Sequence, residues 1–158
     1  MTSREEVARA LTFFERCDDA VLLHQLIGEV APRARKLVST FLAKGTEEAI
    51  PPPADLRAAR EAASGEQALA ALRGTQDFAL LQVLARAIGQ RIEAIEIAAS
   101  AEFPEGARVA VPAKATFPPS GPQLEGTVEE TGTTLRVLLD NGETWAGPPT
   151  LARLAGRP

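Results

Sequence analysis

The chain has 158 residues, 45% hydrophobic and 24% charged, which is the composition of an ordinary globular protein. Its formal net charge is −4, and both 1–102 and 103–158 are slightly acidic, which argues against a protein held to nucleic acid by phosphate contacts. The single cysteine, Cys17, excludes an intrachain disulfide and suits the reducing cytoplasm, where we expect the protein. No apolar run is long enough to span a bilayer and the N-terminus lacks a signal-peptide pattern, so we expect no membrane partner.

The first hundred residues carry the periodicity of helices. Ser3 is placed to cap a first helix. Its apolar stripe at helical spacing consists of Val7, Ala10, Leu11, Phe14 and Cys17. Asp18-Asp19 offers a second start, although one bent continuous helix fits the pattern as well. Pro32 suits the first turn of a further helix, which predicts a break just before it, and Gly45 suits the end of that helix.

The strongest helical pattern lies at 75–101, where large apolar residues recur at steps of three or four. Thr75 is placed to cap this helix. The Ala-rich segment before it predicts one or two peripheral helices, and Ser64 and Gln67 there have the spacing of a capping box. A broad apolar stripe is typical of a central bundle helix and also of a dimer-forming helix. We therefore expect a bundle of roughly four to six helices in 1–102, with a homodimer through 75–101 as an open alternative.

The pattern changes near Pro104. Val109 and Val111 alternate with a small residue, which predicts a strand, and the prolines and glycines of 112–123 predict a long loop. Three stretches rich in Val, Leu and Thr then predict strands joined by tight turns. These stretches are 124–130, 133–139 and 143–146. The chain is therefore expected to be an α+β protein, with a helical bundle at 1–102 followed by a small β domain at 103–158.

Three short motifs stand out in the strand region. They are Gly106-x-x-Val109, Gly126-x-Val128 and Val137-x-Leu139-Asp140-Asn141-Gly142-Glu143. Together they resemble an SH3-like barrel of the Tudor or KOW kind, which would cover 103–158. The resemblance implies a binding module, because Tudor-like domains hold proteins or nucleic acids and some bacterial ones hold RNA polymerase. Methylated side chains are not an expected ligand, since an aromatic cage would have only Phe103, Phe117 and Trp145 to draw on.

The turn at Asn141-Gly142 permits two hairpin registers. A two-residue type I′ turn places Leu138 opposite Trp145 outside the barrel, where two large apolar groups need a cover. A three-residue loop with a glycine bulge slips the register by one and places Trp145 beside Val137 in the core. Burial is usual for a lone Trp, which slightly favours the second register. The first register makes Leu138 and Trp145 candidate binding residues.

Groups that could carry catalysis or hold a metal are few. Cys17 and His24 are seven residues apart, too far along a helix for a hydrogen-bonded pair. The only histidine has Val21 three residues before it, so the Glu-x-x-His pattern of di-iron sites is absent. Glu93 and Glu96 share a helix face that we expect to be a solvated edge. With no phosphate loop and no zinc-ligand cluster, we expect no metal, no cofactor and no catalytic residue.

The densest basic cluster is Arg33, Arg35 and Lys36, which forms either a solvated helix face or a contact for an anionic partner. The leading expectation is a non-enzymatic, bacterial-type adaptor that binds another protein, with this cluster, Leu138 and Trp145 as its candidate binding residues. The first alternative is a protein associated with nucleic acid or the transcription machinery, against which the acidic balance counts. The second is an enzyme with a site between the two domains, for which no acid/base pair can be named.

Overall fold

The computed structural model describes residues 3–44, 53–56 and 61–156. The chain divides into two compact units, Met1–Arg91 and Ile92–Pro158. The described part of the first unit is helical, and the second joins the end of the last helix to a five-stranded antiparallel sheet. The expected α+β class, helices first and strands after, is therefore confirmed. Gly45, which was predicted to end a helix, lies outside the described residues.

The first helix, α1 (Arg4–Arg16), begins at its predicted cap, Ser3. The Ser3 hydroxyl accepts a hydrogen bond from the Glu6 N–H at 3.2 Å, and the Glu6 carboxylate accepts one from the Ser3 N–H at 2.6 Å. The hydrogen bond from the Ser3 N–H lowers the pKa of Glu6, since it favours the charged carboxylate. The buried face of α1 consists of Val7, Ala8, Ala10, Leu11 and Phe14.

The second helix, α2 (Ala20–Lys44), begins where the paired aspartates offered a start. The Asp19 carboxylate accepts a hydrogen bond from the Leu22 N–H at 3.0 Å, so the two-helix alternative is the one observed. The break predicted before Pro32 is wrong, because α2 continues through this residue. Leu26 and Val30, before Pro32, are buried, and Arg33, directly after it, donates hydrogen bonds to the end of a later helix. Tertiary packing thus overrides the local preference of proline.

Three further helices follow. They are α3 (Pro53–Leu56), α4 (Gly65–Gly74) and α5 (Phe78–Ser100). The predicted capping box of α4 is confirmed, since Ser64 and Gln67 exchange both side-chain hydrogen bonds. The cap of α5 is Asp77 rather than Thr75: the Asp77 carboxylate accepts the Ala79 N–H at 2.9 Å. Thr75 instead ends α4, because its N–H donates to the Ala71 carbonyl at 3.1 Å. In the described ranges, no helix has both the length and the apolarity to cross a membrane.

The sheet has the order β4-β3-β2-β1-β5, with every pairing antiparallel. The strands are β1 (Arg108–Lys114), β2 (Ser120–Glu130), β3 (Leu135–Leu139), β4 (Thr144–Gly147) and β5 (Arg153–Leu154). A 3₁₀ helix, η1 (Pro149–Leu151), lies between the last two strands. The long loop predicted at 112–123 is wrong, because β1 and β2 extend into it from both sides. Among the described residues, β5 pairs with Val109 and Ala110 alone. Pro112 lies beyond this pairing, on a side of β1 where no described strand would accept an N–H, so its missing N–H breaks no ladder hydrogen bond.

The hairpin between β3 and β4 has the three-residue loop. The Gly142 N–H donates to the Leu139 carbonyl at 2.9 Å, and the Leu139 N–H donates to the Glu143 carbonyl at 2.8 Å. Gly142 has a φ of +87°, the left-handed conformation that a glycine bulge requires. Val137 is therefore the partner of Trp145 in the ladder, and the two-residue register is wrong. The core of the sheet is formed by Phe103, Val109, Val111, Val128, Leu135, Val137, Leu139 and Trp145.

Candidate binding surface

The fold separates the members of the predicted basic cluster. Arg33 on α2 donates from Nη1 to the Leu72 carbonyl at 2.6 Å and from Nη2 to the Thr75 carbonyl. These carbonyls end α4, where a positive charge is favoured. Arg35 and Lys36 are exposed. Arg33 is thus a structural residue of the helical unit, and the cluster does not form one surface for an anionic partner.

An ion pair accompanies Arg33 at the same junction of α2 and α4. The Arg73 guanidinium donates from Nε and Nη2 to the two carboxylate oxygens of Glu29, at 2.8 and 3.2 Å. These hydrogen bonds from Arg73 lower the pKa of Glu29, and the same bonds raise the pKa of Arg73. Because both side chains are largely exposed, the pair contributes little to stability on its own. The basic and acidic residues of this region therefore serve the helix packing.

Leu138 and Trp145 lie on opposite faces of the sheet. Trp145 is 5% exposed and belongs to the core, whereas Leu138 is 43% exposed. The register slip at Gly142 separates them, since it pairs Leu138 with Thr144 rather than with Trp145. The hypothesis of an outer surface shared by both residues is therefore wrong. Of the two, only Leu138 is available to a partner.

Leu138 belongs to a row of four paired residues that crosses the sheet. Arg108 of β1 pairs with Thr127 of β2, Thr127 with Leu138 of β3, and Leu138 with Thr144 of β4. Directly paired residues point to the same face of a sheet, so these four side chains form one line, which we call the outer row. Thr127 is half-buried and the other three are exposed. The outer row thus presents a leucine between two threonines.

Arg108 is held at one end of the outer row by a forked ion pair. Its Nη1 and Nη2 donate to the two carboxylate oxygens of Asp140 at 2.6 and 2.7 Å, and Glu125 lies 3.5 Å from Nη2. The hydrogen bond from Arg108 lowers the pKa of Asp140, and the same bond raises the pKa of Arg108. This pair links β1 to the turn after β3 across β2. It therefore fixes the position of the guanidinium beside Thr127.

Acidic side chains predominate around the outer row. Arg136 on β3 lies 3.7 Å from Glu130, so Arg108 and Arg136 each have a carboxylate partner. The exposed carboxylates on β2 and on the turn after β3 are Glu125, Glu129, Glu130, Asp140 and Glu143. They outnumber the exposed arginines of the same face, which are Arg108, Arg136 and Arg153. The surface thus combines an apolar centre with an acidic surround.

One side of β4 has no strand beside it in the part of the chain that the structure describes. Within the described residues β4 pairs with β3 alone. The hairpin closes through the Leu139–Glu143 hydrogen bond, and hydrogen-bonded pairs alternate along an antiparallel ladder. Trp145 and Gly147 therefore bond to β3, while the N–H and C=O groups of Thr144 and Ala146 point away from it. We call these outward groups the β4 edge; both residues that carry them are exposed.

Sequence reasoning missed the environment of Glu96. This carboxylate is 3% exposed, and it accepts hydrogen bonds from the Thr150 N–H at 3.0 Å and the Thr150 hydroxyl at 2.6 Å. The solvated edge expected for Glu93 and Glu96 is thus wrong for Glu96, although Glu93 is exposed. The two hydrogen bonds join the last turns of α5 to η1 inside the second unit. No local pattern signals this contact, because its partners are 54 residues apart.

Within the described ranges, the metal-binding side chains do not converge. Across residues 3–44, 53–56 and 61–156, no three His, Cys, Asp or Glu residues are grouped so that they could hold a metal ion. Cys17 is buried and ends α1 as its C-cap. Comparison of the chain with known proteins gave no match to a family model, a curated protein or a solved structure.

Proposed function

We propose that the protein is a protein-binding module whose strand unit docks a partner protein on the outer row. The observation that carries the proposal is the exposure of Leu138, at 43%, within a strand that is paired on both sides. A leucine at this position would face water without benefit in a free monomer, whereas a partner would bury it. Because β3 is hydrogen-bonded to a strand on each side, the backbone at Leu138 is already ordered, and binding costs little conformational entropy there.

The charges around the outer row support a protein partner over a nucleic acid. Carboxylates outnumber guanidinium groups on this face, and Arg108 is engaged by Asp140. A phosphate backbone would meet net repulsion here, because nucleic-acid affinity depends on free positive charge. A protein surface with an apolar residue and one or more basic side chains would match both features.

The SH3-like relationship forms part of this proposal. Five consecutive antiparallel strands, with tight turns between β2 and β4, support it. In an adaptor of this design, the helical unit would dock elsewhere or dimerise. A dimer through α5 would instead use the part of this helix that belongs to the second unit, because Leu81, Leu84 and Ile88 are buried in the helical unit whereas Ile97 is exposed.

Site-specific crosslinking tests the proposal. A photo-reactive amino acid at position 138 is expected to capture a partner protein in the cell of origin, and Leu138→Glu is expected to weaken binding of that purified partner at least tenfold. Val21→Glu is the matched control, since Val21 is an exposed apolar residue of the helical unit. Circular dichroism establishes that each variant is folded. Equal affinity of the wild-type chain and Leu138→Glu for the captured partner would refute the proposal.

A further inference from the structure

The β4 edge presents hydrogen-bonding groups in the pattern of a strand. Thr144 and Ala146 each direct one N–H and one C=O away from β3, and both residues are exposed. None of these groups has a hydrogen-bond partner within the described part of the chain. Two donors and two acceptors that alternate at this spacing are complementary to an extended backbone.

We propose that the β4 edge binds an extended peptide segment of a partner protein, which adds to the sheet as a sixth, antiparallel strand. The inference rests on the proposed function, because it assigns the mode by which the same partner docks. Main-chain hydrogen bonds supply affinity in this mode, and alternate side chains supply specificity.

The flanking residues limit the length of the added strand. The turn at Asn141-Gly142 precedes β4, and Pro148, which has no N–H to donate, follows it. The ladder is therefore confined to about four residues of the partner. A second copy of the chain paired through β4 would bury far less than the roughly 800 Å² per partner of a stable interface. A peptide segment that also contacts the outer row meets this requirement better.

The outer row indicates which side chains the segment carries. A partner residue paired with Thr144 points to the same outer face as Thr144 and Leu138. Thr144 then lies between this partner residue and Leu138. Neighbouring strands lie about 4.8 Å apart, so a Phe at this position reaches across Thr144 to Leu138. The next residue of the segment pairs with Glu143, which directly precedes β4, so a Lys or Arg there lies next to the Glu143 carboxylate. The segment is therefore extended, with an outward aromatic or large apolar residue and a basic residue beside it.

A proline substitution in β4 tests the β4 edge without removing hydrogen bonds from the rest of the sheet. Ala146→Pro removes an N–H that points away from β3, so the ladder with β3 keeps its hydrogen bonds. Ala146→Thr is the matched control, because it changes the side chain at the same position and keeps the N–H. Backbone NMR spectra of both variants establish that the β3–β4 hairpin is intact.

The probe is a synthetic eight-residue peptide of alternating Phe and Thr with Lys at both ends. A peptide of the same composition with a central proline serves as the control ligand. Binding is expected to slow amide hydrogen exchange at Thr144 and Ala146, to weaken at least tenfold in Ala146→Pro and to persist in Ala146→Thr. Replacing Lys by Glu in the peptide is expected to weaken binding as well.

Two results would overturn strand addition. One is unchanged amide exchange at Thr144 and Ala146 with the peptide at millimolar concentration, and the other is equal binding to Ala146→Pro and the wild-type chain. If the partner captured at position 138 binds Ala146→Pro normally, strand addition fails and the proposed function stands. If the peptide adds to the edge while Leu138→Glu leaves partner affinity unchanged, docking on the outer row fails instead.

Discussion

Glu96 and Thr150 join the end of α5 to η1 by two hydrogen bonds to one buried carboxylate. The arrangement resembles a helix cap supplied from a distant part of the chain, because the carboxylate accepts an N–H in the first turn of η1. A buried carboxylate is stable only when such donors surround it. The pair therefore makes the last turns of α5 an integral part of the strand unit.

We expect removal of the Glu96 carboxylate to destabilise the strand unit. Glu96→Ala leaves the Thr150 N–H and hydroxyl without their acceptor, so the free energy of unfolding should fall by about 1–3 kcal/mol. Urea denaturation monitored by Trp145 fluorescence measures this, because the only tryptophan lies in the sheet core. Glu93→Ala, on the exposed side of the same helix, should change the free energy of unfolding by less than about 0.5 kcal/mol. Equal effects of the two substitutions would contradict the role given to Glu96.

Gly126 is expected to tolerate no side chain. A Cβ at this position would lie 2.7 Å from Cγ1 of Val137 and closer still to the carbonyl oxygen of Leu138. Gly126→Ala should therefore separate β2 from β3 and reduce the free energy of unfolding by about 1–3 kcal/mol, measured by urea denaturation. Gly132→Ala is the control in the same unit, since its Cβ would contact only the Thr134 carbonyl at 3.8 Å. A Gly126→Ala variant as stable as Gly132→Ala would show that the strands accommodate the methyl group.

Local patterns predicted the caps of α1 and α4 but did not predict the long-range contacts. Ser3 and Ser64 cap their helices through residues three positions away, so the sequence contains the whole interaction. Arg33 and Glu96 depend on partners 39 to 54 residues away, which no periodicity encodes. The class and order of the two parts were predictable because the apolar period changes from helical to alternating near Pro104.

The candidate site was predictable in part. The turn sequence Asn141-Gly142 allowed two registers, and a slip of one residue exchanges the faces of a strand. Leu138 could thus be identified as a candidate, but its separation from Trp145 depends on the three-residue loop. The outer row and the β4 edge follow from the same register, since they are defined by cross-strand pairs. Pairing across β1–β4 is a property of the folded sheet and is not contained in any single strand.

The ion pair between Arg108 and Asp140 predicts a pH dependence. The hydrogen bond from Arg108 lowers the pKa of Asp140 below its ordinary value of 3.8. A lowered pKa in the folded state stabilises the fold above the unfolded value, and this stabilisation is lost as the pH falls through the folded pKa. An NMR titration of the Asp140 carboxyl carbon should therefore give a midpoint below 3.8, and Arg108→Gln should raise that midpoint. Arg136→Gln is the control, because the carboxylate near Arg136 is Glu130. A midpoint unaffected by Arg108→Gln would exclude the hydrogen bond as its cause.

Arg33 is expected to act on stability where its neighbour Arg35 does not. Arg33→Ala removes the two hydrogen bonds that the guanidinium donates to the carbonyls of Leu72 and Thr75. Hydrogen bonds from a charged donor contribute about 1.5–3 kcal/mol each to stability in favourable cases. Arg33 is only half-buried, so we expect a loss of about 1–3 kcal/mol in the free energy of unfolding of the helical unit. Far-ultraviolet circular dichroism in urea measures the loss, and Arg35→Ala should change it by less than about 0.5 kcal/mol. Arg33→Lys should recover only part of the stability, because an ammonium group lacks the fork that reaches both carbonyls. If Arg33→Ala and Arg35→Ala instead have equal stability, the Arg33 guanidinium does not stabilise the end of α4. Arg33 would then again be a candidate, with Arg35 and Lys36, for binding an anionic partner.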